Sequence, residues 1–173
     1  HLGFELGQGR FDEYFRSLTG DRGLLNEAVT AFRGSSAADT RRRSVESTAA
    51  EAVAELPRAR DNLARMFATL ESLLSSAADD GAGVAQELRV TTSTRAQPAW
   101  SDLEIQWEAV NLTLEDLNSS LRRLEQSLEG LEEAGLVGYP GLMMEMANAQ
   151  QVNAELRQRL EEFVPKPRPD GIY

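Results

Sequence analysis

The sequence predicts a mostly α-helical protein: an elongated antiparallel bundle of three long helices, preceded by two short ones and bounded by short strand-like termini. Two repeats carry this expectation. Val45, Ala49, Ala52, Leu56, Ala59, Leu63, Met66, Leu70 and Leu73 follow a strict four-three alternation, and so do Leu103, Trp107, Val110, Leu114, Leu117, Leu121, Leu124, Leu128 and Leu131. With 41% apolar residues, nine matches out of nine in one of seven frames arise by chance in only about two or three windows in a thousand. Each stretch extends for about 43 Å as a helix, and 3.5-residue spacing favours shallow, coiled-coil-like crossing.

The remaining elements are read from local signals. Leu2, Phe4 and Leu6 alternate with His1, Gly3 and Glu5, the period of a half-buried strand, and Gly7 and Gly9 end it. Phe11, Tyr14, Phe15 and Leu18 then recur at helical spacing, with Gly20 standing at the position of a C-terminal cap. A second short helix is predicted from Leu24 to Phe32, stopping at Gly34, with a turn over Ser35 to Asp39. Pro57 lies inside the first long helix and removes a backbone hydrogen bond, which predicts a kink near Val53 to Leu56. Ala78 to Gly83 reads as a flexible tip, and Leu88 to Thr94, rich in β-branched residues, as extended chain before Pro98. Gly138, Pro140 and Gly141 predict the reversal before a third long helix, whose stripe is Leu142, Met146, Ala149, Val152, Leu156, Leu160 and Phe163. The Pro-rich stretch Val164 to Pro169 ends it. No period of 20 to 50 residues is visible, which argues against a solenoid.

Composition narrows the function classes. The 173 residues suit a single domain with one core. No uninterrupted apolar run exceeds three residues, against roughly 18 to 20 for a membrane-spanning helix. The chain opens on His1 with neither a basic leader nor a signal-type apolar stretch, which predicts an excised fragment or processed form. Absence of Cys removes disulfides, thiolate metal sites and Cys nucleophiles. The 18 basic and 28 acidic residues give a net charge of -10, and 17 of the 18 basic residues are Arg. Such a body repels bulk nucleic acid and anionic lipid, leaving room only for a local basic strip.

His1 is the only His, so no internal Ser-His-Asp arrangement or multi-His metal site can be assembled. The carboxylate pairs Glu132/Glu133 and Glu161/Glu162 fall on helix surfaces without the ExxH spacing of a diiron bundle. Asp79-Asp80-Gly81 lacks the other ligands of a calcium loop, and Gly7-Gln8-Gly9 lacks the rest of a phosphate loop. Two basic clusters remain as candidate phosphate contacts: Arg41, Arg42 and Arg43 at the start of the first long helix, with Arg58, Arg60 and Arg65 further along, and Arg122 with Arg123 on the second. Glu46, Glu51, Glu55 and Glu125 lie near them in sequence, so surface ion pairing competes with that reading. Trp100 and Trp107 are expected to pack between helices rather than stack on bases, and Met143, Met144 and Met146 to fill the core or form a contact surface.

The ends of the chain resemble a known family. His1-Leu2-Gly3-Phe4-Glu5-Leu6, then Gly7-Gln8-Gly9-Arg10 and the helix Phe11 to Leu18, resembles the segment directly after the DEAH box in DinG/XPD-type DNA helicases. The closing Pro169-Asp170-Gly171-Ile172-Tyr173 resembles the return strand by which an inserted domain re-enters the motor, and Pro98-Ala99-Trp100 before a Leu-repeating helix is similar to the same family's helical arch. The layout matches over the whole chain, while the specific residues lie at its ends.

The resemblance implies a non-catalytic arch domain, residues 1–173, inserted in the first motor domain of an ATP-dependent, superfamily 2, 5′-to-3′ DNA helicase. It implies a cytoplasmic monomer that helps enclose and guide single-stranded DNA, with the motor domain of the same chain as neighbour and no membrane partner. The phosphate loop, the DEAH box and the arginine fingers match nothing here, so no catalytic role carries over and no cofactor is expected in this stretch. ATP and Mg would bind the parent motor, and an iron-sulfur cluster, where the parent has one, would sit in a separate insertion. The alternative is a helical protein-interaction or scaffold module that offers part of a heptad seam to a partner helix.

Overall fold

The computed structural model describes residues 7–33, 39–79, 91–129 and 138–165, and every regular element among them is helical: α1 (Gln8–Thr19), α2 (Leu24–Arg33), α3 (Asp39–Asp79), α4 (Thr92–Arg95), α5 (Pro98–Leu128) and α6 (Tyr139–Phe163). The two heptad repeats form the spine of the molecule. Eight of the nine seam residues of α3 are buried, with Leu70 half-buried, and on α5 every seam residue from Leu103 to Leu128 is buried except half-buried Trp107. These faces meet antiparallel. Arg123 on α5 reaches Glu51 at 3.1 Å, while Asn62, further along α3, donates through Nδ2 to the Ala109 carbonyl at 3.3 Å, earlier on α5. Each fully buried Leu along such an interface contributes about 1.5–3 kcal/mol, which outweighs the propensity differences of the polar residues between them.

α6 packs on the other flank of α5, also antiparallel. Gln150 donates to Glu125 at 2.7 Å, Arg157 donates to Asn111 at 2.8 Å, and the Phe163 and Trp100 rings lie 6.3 Å apart. The two short helices complete the ring. Phe11 meets Phe67 edge-on at 6.1 Å, the Arg60 guanidinium stands 5.6 Å over the Phe15 ring, and Arg33 pairs with Glu46 at 3.1 Å. As the chain advances through α1 and α2, its partners on α3 retreat. The two therefore run one after the other antiparallel to α3, and both also pack on α6. The architecture is a bundle with four arms in alternating directions, of which the first is broken in two. Its chain enters at the start of α1 and leaves at the end of α6, at the same end of the bundle.

The break between α1 and α2 depends on Gly23. Its amide donates to the Gly20 carbonyl at 2.6 Å, and a Cβ there would stand 2.5 Å from the Gly20 nitrogen and 2.7 Å from the Leu18 carbonyl, all backbone atoms. Gly23→Ala is therefore expected to lower the free energy of unfolding by about 1–3 kcal/mol, read from denaturant melts, because the turn must open to admit the methyl group. Gly20→Ala, whose Cβ would come no closer than 3.4 Å, to the Arg16 oxygen, is expected to cost less.

Gly20 caps α1 as its position predicts, in an extended conformation (φ -62°, ψ 172°). Several other local expectations are corrected. Asp39 opens α3 instead of ending a turn, and α3, with exposed Pro57 inside it, includes Ala78 and Asp79, expected in the tip. Thr92 to Thr94 are helical rather than extended. The Thr91 hydroxyl accepts from the Thr94 amide and the Thr94 hydroxyl accepts from the Thr91 amide, both at 3.2 Å, a reciprocal cap that starts the single turn of α4. Short hydroxyl side chains bonding their own backbone override the β-branched preference here. Pro140 and Gly141 belong to the first turn of α6, where a proline lacks only an amide that would be unpaired anyway; Gly138, at φ 76°, immediately precedes that turn. The strand-like ends at 1–6 and 171–173, the stop at Gly34, the turn residues Ser35 to Ala38, the tip from Asp80 to Gly83, Leu88 to Val90, Leu131 and the stretch from Lys166 to Pro169 lie outside the described residues.

Candidate functional site

Arg41, Arg42 and Arg43 occupy the first turns of α3 and all three are exposed. Arg42 is tied to Asp39 through Nη2 at 2.8 Å, and neither Arg41 nor Arg43 forms an ion pair with another described residue. Three cations at the positive end of a helix oppose the macrodipole, each at a cost of about 0.3–1 kcal/mol that the single acid Asp39 offsets only in part. Local helix stability does not account for this placement. What the arrangement provides is a concentrated positive potential, with guanidinium donors facing solvent, on a body of net charge -10.

The second cluster divides. Arg123, also exposed, is paired: its Nη2 reaches Glu51 across the α3/α5 interface at 3.1 Å and Ser120 at 3.0 Å. Arg122 is exposed and has no ion pair with another described residue. Because α5 runs against α3, Arg122 and Arg123 stand level with Glu51, about 13 Å along α3 from Arg42. The fold thus brings both clusters into one half of the bundle. Arg58 pairs with Glu55 at 3.8 Å, Arg60 covers Phe15, and Arg65 donates to Asn62 at 2.5 Å, so these three serve packing and surface pairing.

Of the aromatic and methionine candidates, all but Met144 pack in or against the core. Trp100 is 1% exposed, packs on Phe163 and donates through Nε1 to Glu104 at 3.2 Å. Trp107 is half-buried against the core, Met146 is buried and Met143 half-buried, while Met144 faces solvent. No group of three His, Cys, Asp or Glu residues that could hold a metal ion occurs among the described residues, and no helix among them is long and apolar enough to cross a membrane.

A buried polar node has no counterpart in the expected site. Asn153 of α6, fully buried, donates through Nδ2 both to the Tyr14 hydroxyl of α1 at 3.1 Å and to the Leu114 carbonyl of α5 at 3.0 Å. This node joins three arms of the bundle beneath a surface groove of about 480 Å³ that Arg10, Glu13, Glu155 and Arg159 line between α1 and α6. Burial pushes the Tyr14 phenol up to about 12, against the opposing pull of the Asn153 hydrogen bond. Its sequence signal is a polar residue on a core register: continuing the four-three alternation from Leu142, Met146 and Ala149 lands on Asn153, not on Val152, which is half-buried.

Comparison with protein families, with curated proteins and with solved structures finds no match to this chain. The residues and their placement therefore carry the functional reading.

Proposed function

We propose that this chain is a non-catalytic helical arch of an ATP-dependent DNA helicase of the DinG/XPD type, helping to enclose and guide single-stranded DNA. The observation that carries the reading is the separation of its two ends. Arg10 and Arg159 line one groove and Phe11 meets Phe67, so the chain enters and leaves level with the far part of α3. Arg41, Arg42 and Arg43 lie at the opposite end, about 35–40 Å away along α3. A domain inserted in a host must leave and rejoin it at neighbouring places, and a strand-guiding arm needs its phosphate contacts away from that stem. Acidity elsewhere on the surface favours confinement of the strand at a few points, with the motor holding most phosphates.

In the parent helicase, replacing Arg41, Arg42 and Arg43 together by Glu is expected to weaken single-strand affinity about tenfold and to flatten the dependence of log K on log salt by about 2 units, since roughly three phosphate contacts are lost. Unchanged affinity and slope would remove these residues from the DNA path. A parent chain with neither a Walker loop nor a DEAH box upstream of His1 would end the helicase reading itself. The rival scaffold reading loses its intended surface, because the α5 seam from Leu103 to Leu128 is spent against the chain's own helices.

A further inference from the structure

Away from its seam, α5 carries a second apolar feature. Ile105 is 65% exposed and Leu112 51% exposed, the two most exposed apolar side chains on this helix. Seven residues apart, they stand two turns from each other, about 10.5 Å, on the outermost face, with half-buried Ala109 between them. Exposed Asp102, Glu108 and Asp116 border this ridge: by helical periodicity Glu108 lies about 40–60° round to one side, and on the other side Asp116 lies about 20–40° and Asp102 about 60–80° round. None of the three forms an ion pair with another described residue, whereas Glu104 pairs with Arg95 at 3.9 Å and Glu115 with Arg157 at 3.3 Å. From Pro98 to Leu121 the helix has five acids and no base. Arg65 of α3, bonded to Asn62 beside Ala109, closes the acidic border on that side.

We infer that this face is a docking surface for a cationic amphipathic helix of a partner protein. The charges select the occupant. A second copy would bring the same carboxylates face to face and is repelled; nucleic acid and anionic lipid are repelled for the same reason. A helix with apolar residues at i, i+4 and i+7 flanked by Lys or Arg instead covers the ridge and satisfies Asp102, Glu108 and Asp116 together. The contact is small, so the association is weak and transient, and it occupies a face distinct from Arg41 to Arg43, so the inference does not depend on the helicase reading.

The probe is a fluorescein-labelled 18-residue helical peptide with Leu at i, i+4 and i+7 flanked by Lys, titrated with the 173-residue chain at low salt and followed by anisotropy. A peptide of the same composition in scrambled order reports charge attraction alone. The expected result is binding at least about tenfold tighter than the scrambled peptide, lost to the scrambled level in I105Q/L112Q and weakened at least about fivefold in D102N/E108Q/D116N. Because all five side chains are exposed, both variants should melt with the parent, and circular dichroism confirms that the fold is kept. Equal binding of the two peptides, or binding untouched by I105Q/L112Q, overturns the inference. So does sedimentation that shows a dimer dissociated by the same double substitution, since the occupant would then be a second copy.

Discussion

Trp100→Ala is expected to lower the free energy of unfolding by about 3–5 kcal/mol, the largest single effect predicted for this fold. Trp100 is among the largest fully buried side chains at 1% exposure, in the first turn of α5, where it packs on Phe163 at the end of α6. Truncation removes that ring contact and leaves a cavity at the stem, between the termini of two long helices that cannot collapse without breaking their own seams. It also frees Glu104, which accepts from the indole and pairs with Arg95. For a domain of this length such a loss lowers Tm by roughly 10 °C. Trp100→Phe, which keeps a ring against Phe163, should recover more than half of the loss. A Trp100→Ala variant as stable as the parent would mean that the indole is not core.

The second large effect is pH-dependent. Tyr14 titrates near 10 when unfolded and is held at about 12 in the fold, because the phenolate would be stranded beneath α1 and α6. A pKa raised on folding means that the folded state keeps its proton longer. The associated stability is therefore fully present below about pH 10 and lost as pH rises towards 12, amounting to about 2–3 kcal/mol over that window. Tyr14→Phe should cost about 1 kcal/mol at pH 7, through the lost acceptor for Asn153, and should abolish most of the decline between pH 10 and 12. Denaturant melts of both proteins across that range isolate the contribution, because every other titrating group is common to them. Parallel profiles would contradict the burial of the hydroxyl.

The elements that were legible in the sequence are those whose apolar pattern is complete within a helix's own turns. Eight buried positions on α3 and the buried seam of α5 follow from a 3.5-residue repeat that needs no knowledge of the partner. Pairing between segments was not written locally. That α1 and α2 act as one broken arm depends on Phe11 finding Phe67 and Arg33 finding Glu46, and that Arg123 is paired depends on Glu51, far away in sequence. Nothing local in the sequence marks Gly23, whose requirement arises only where the backbone of Leu18 and Gly20 closes around it. Of the basic candidates, composition alone could not separate Arg41 and Arg43, which have no ion pair among the described residues, from Arg42 and Arg123, which do. Asn153 was readable in principle, as the polar member of an otherwise apolar register, but its partners Tyr14 and Leu114 were not.

Both the stem and the distal basic end depend on one geometric relation: α1 and α6 lie side by side in opposite directions, with the start of α3 at the far end. The chain has no native Cys, so paired nitroxide labels can be placed without background. Double electron-electron resonance on Arg10→Cys/Arg159→Cys should give a narrow distribution below about 25 Å, and on Arg10→Cys/Arg43→Cys one centred near 40 Å. A longer distance for the first pair than for the second would contradict the arrangement of the arms, and with it the separation of stem from DNA contacts.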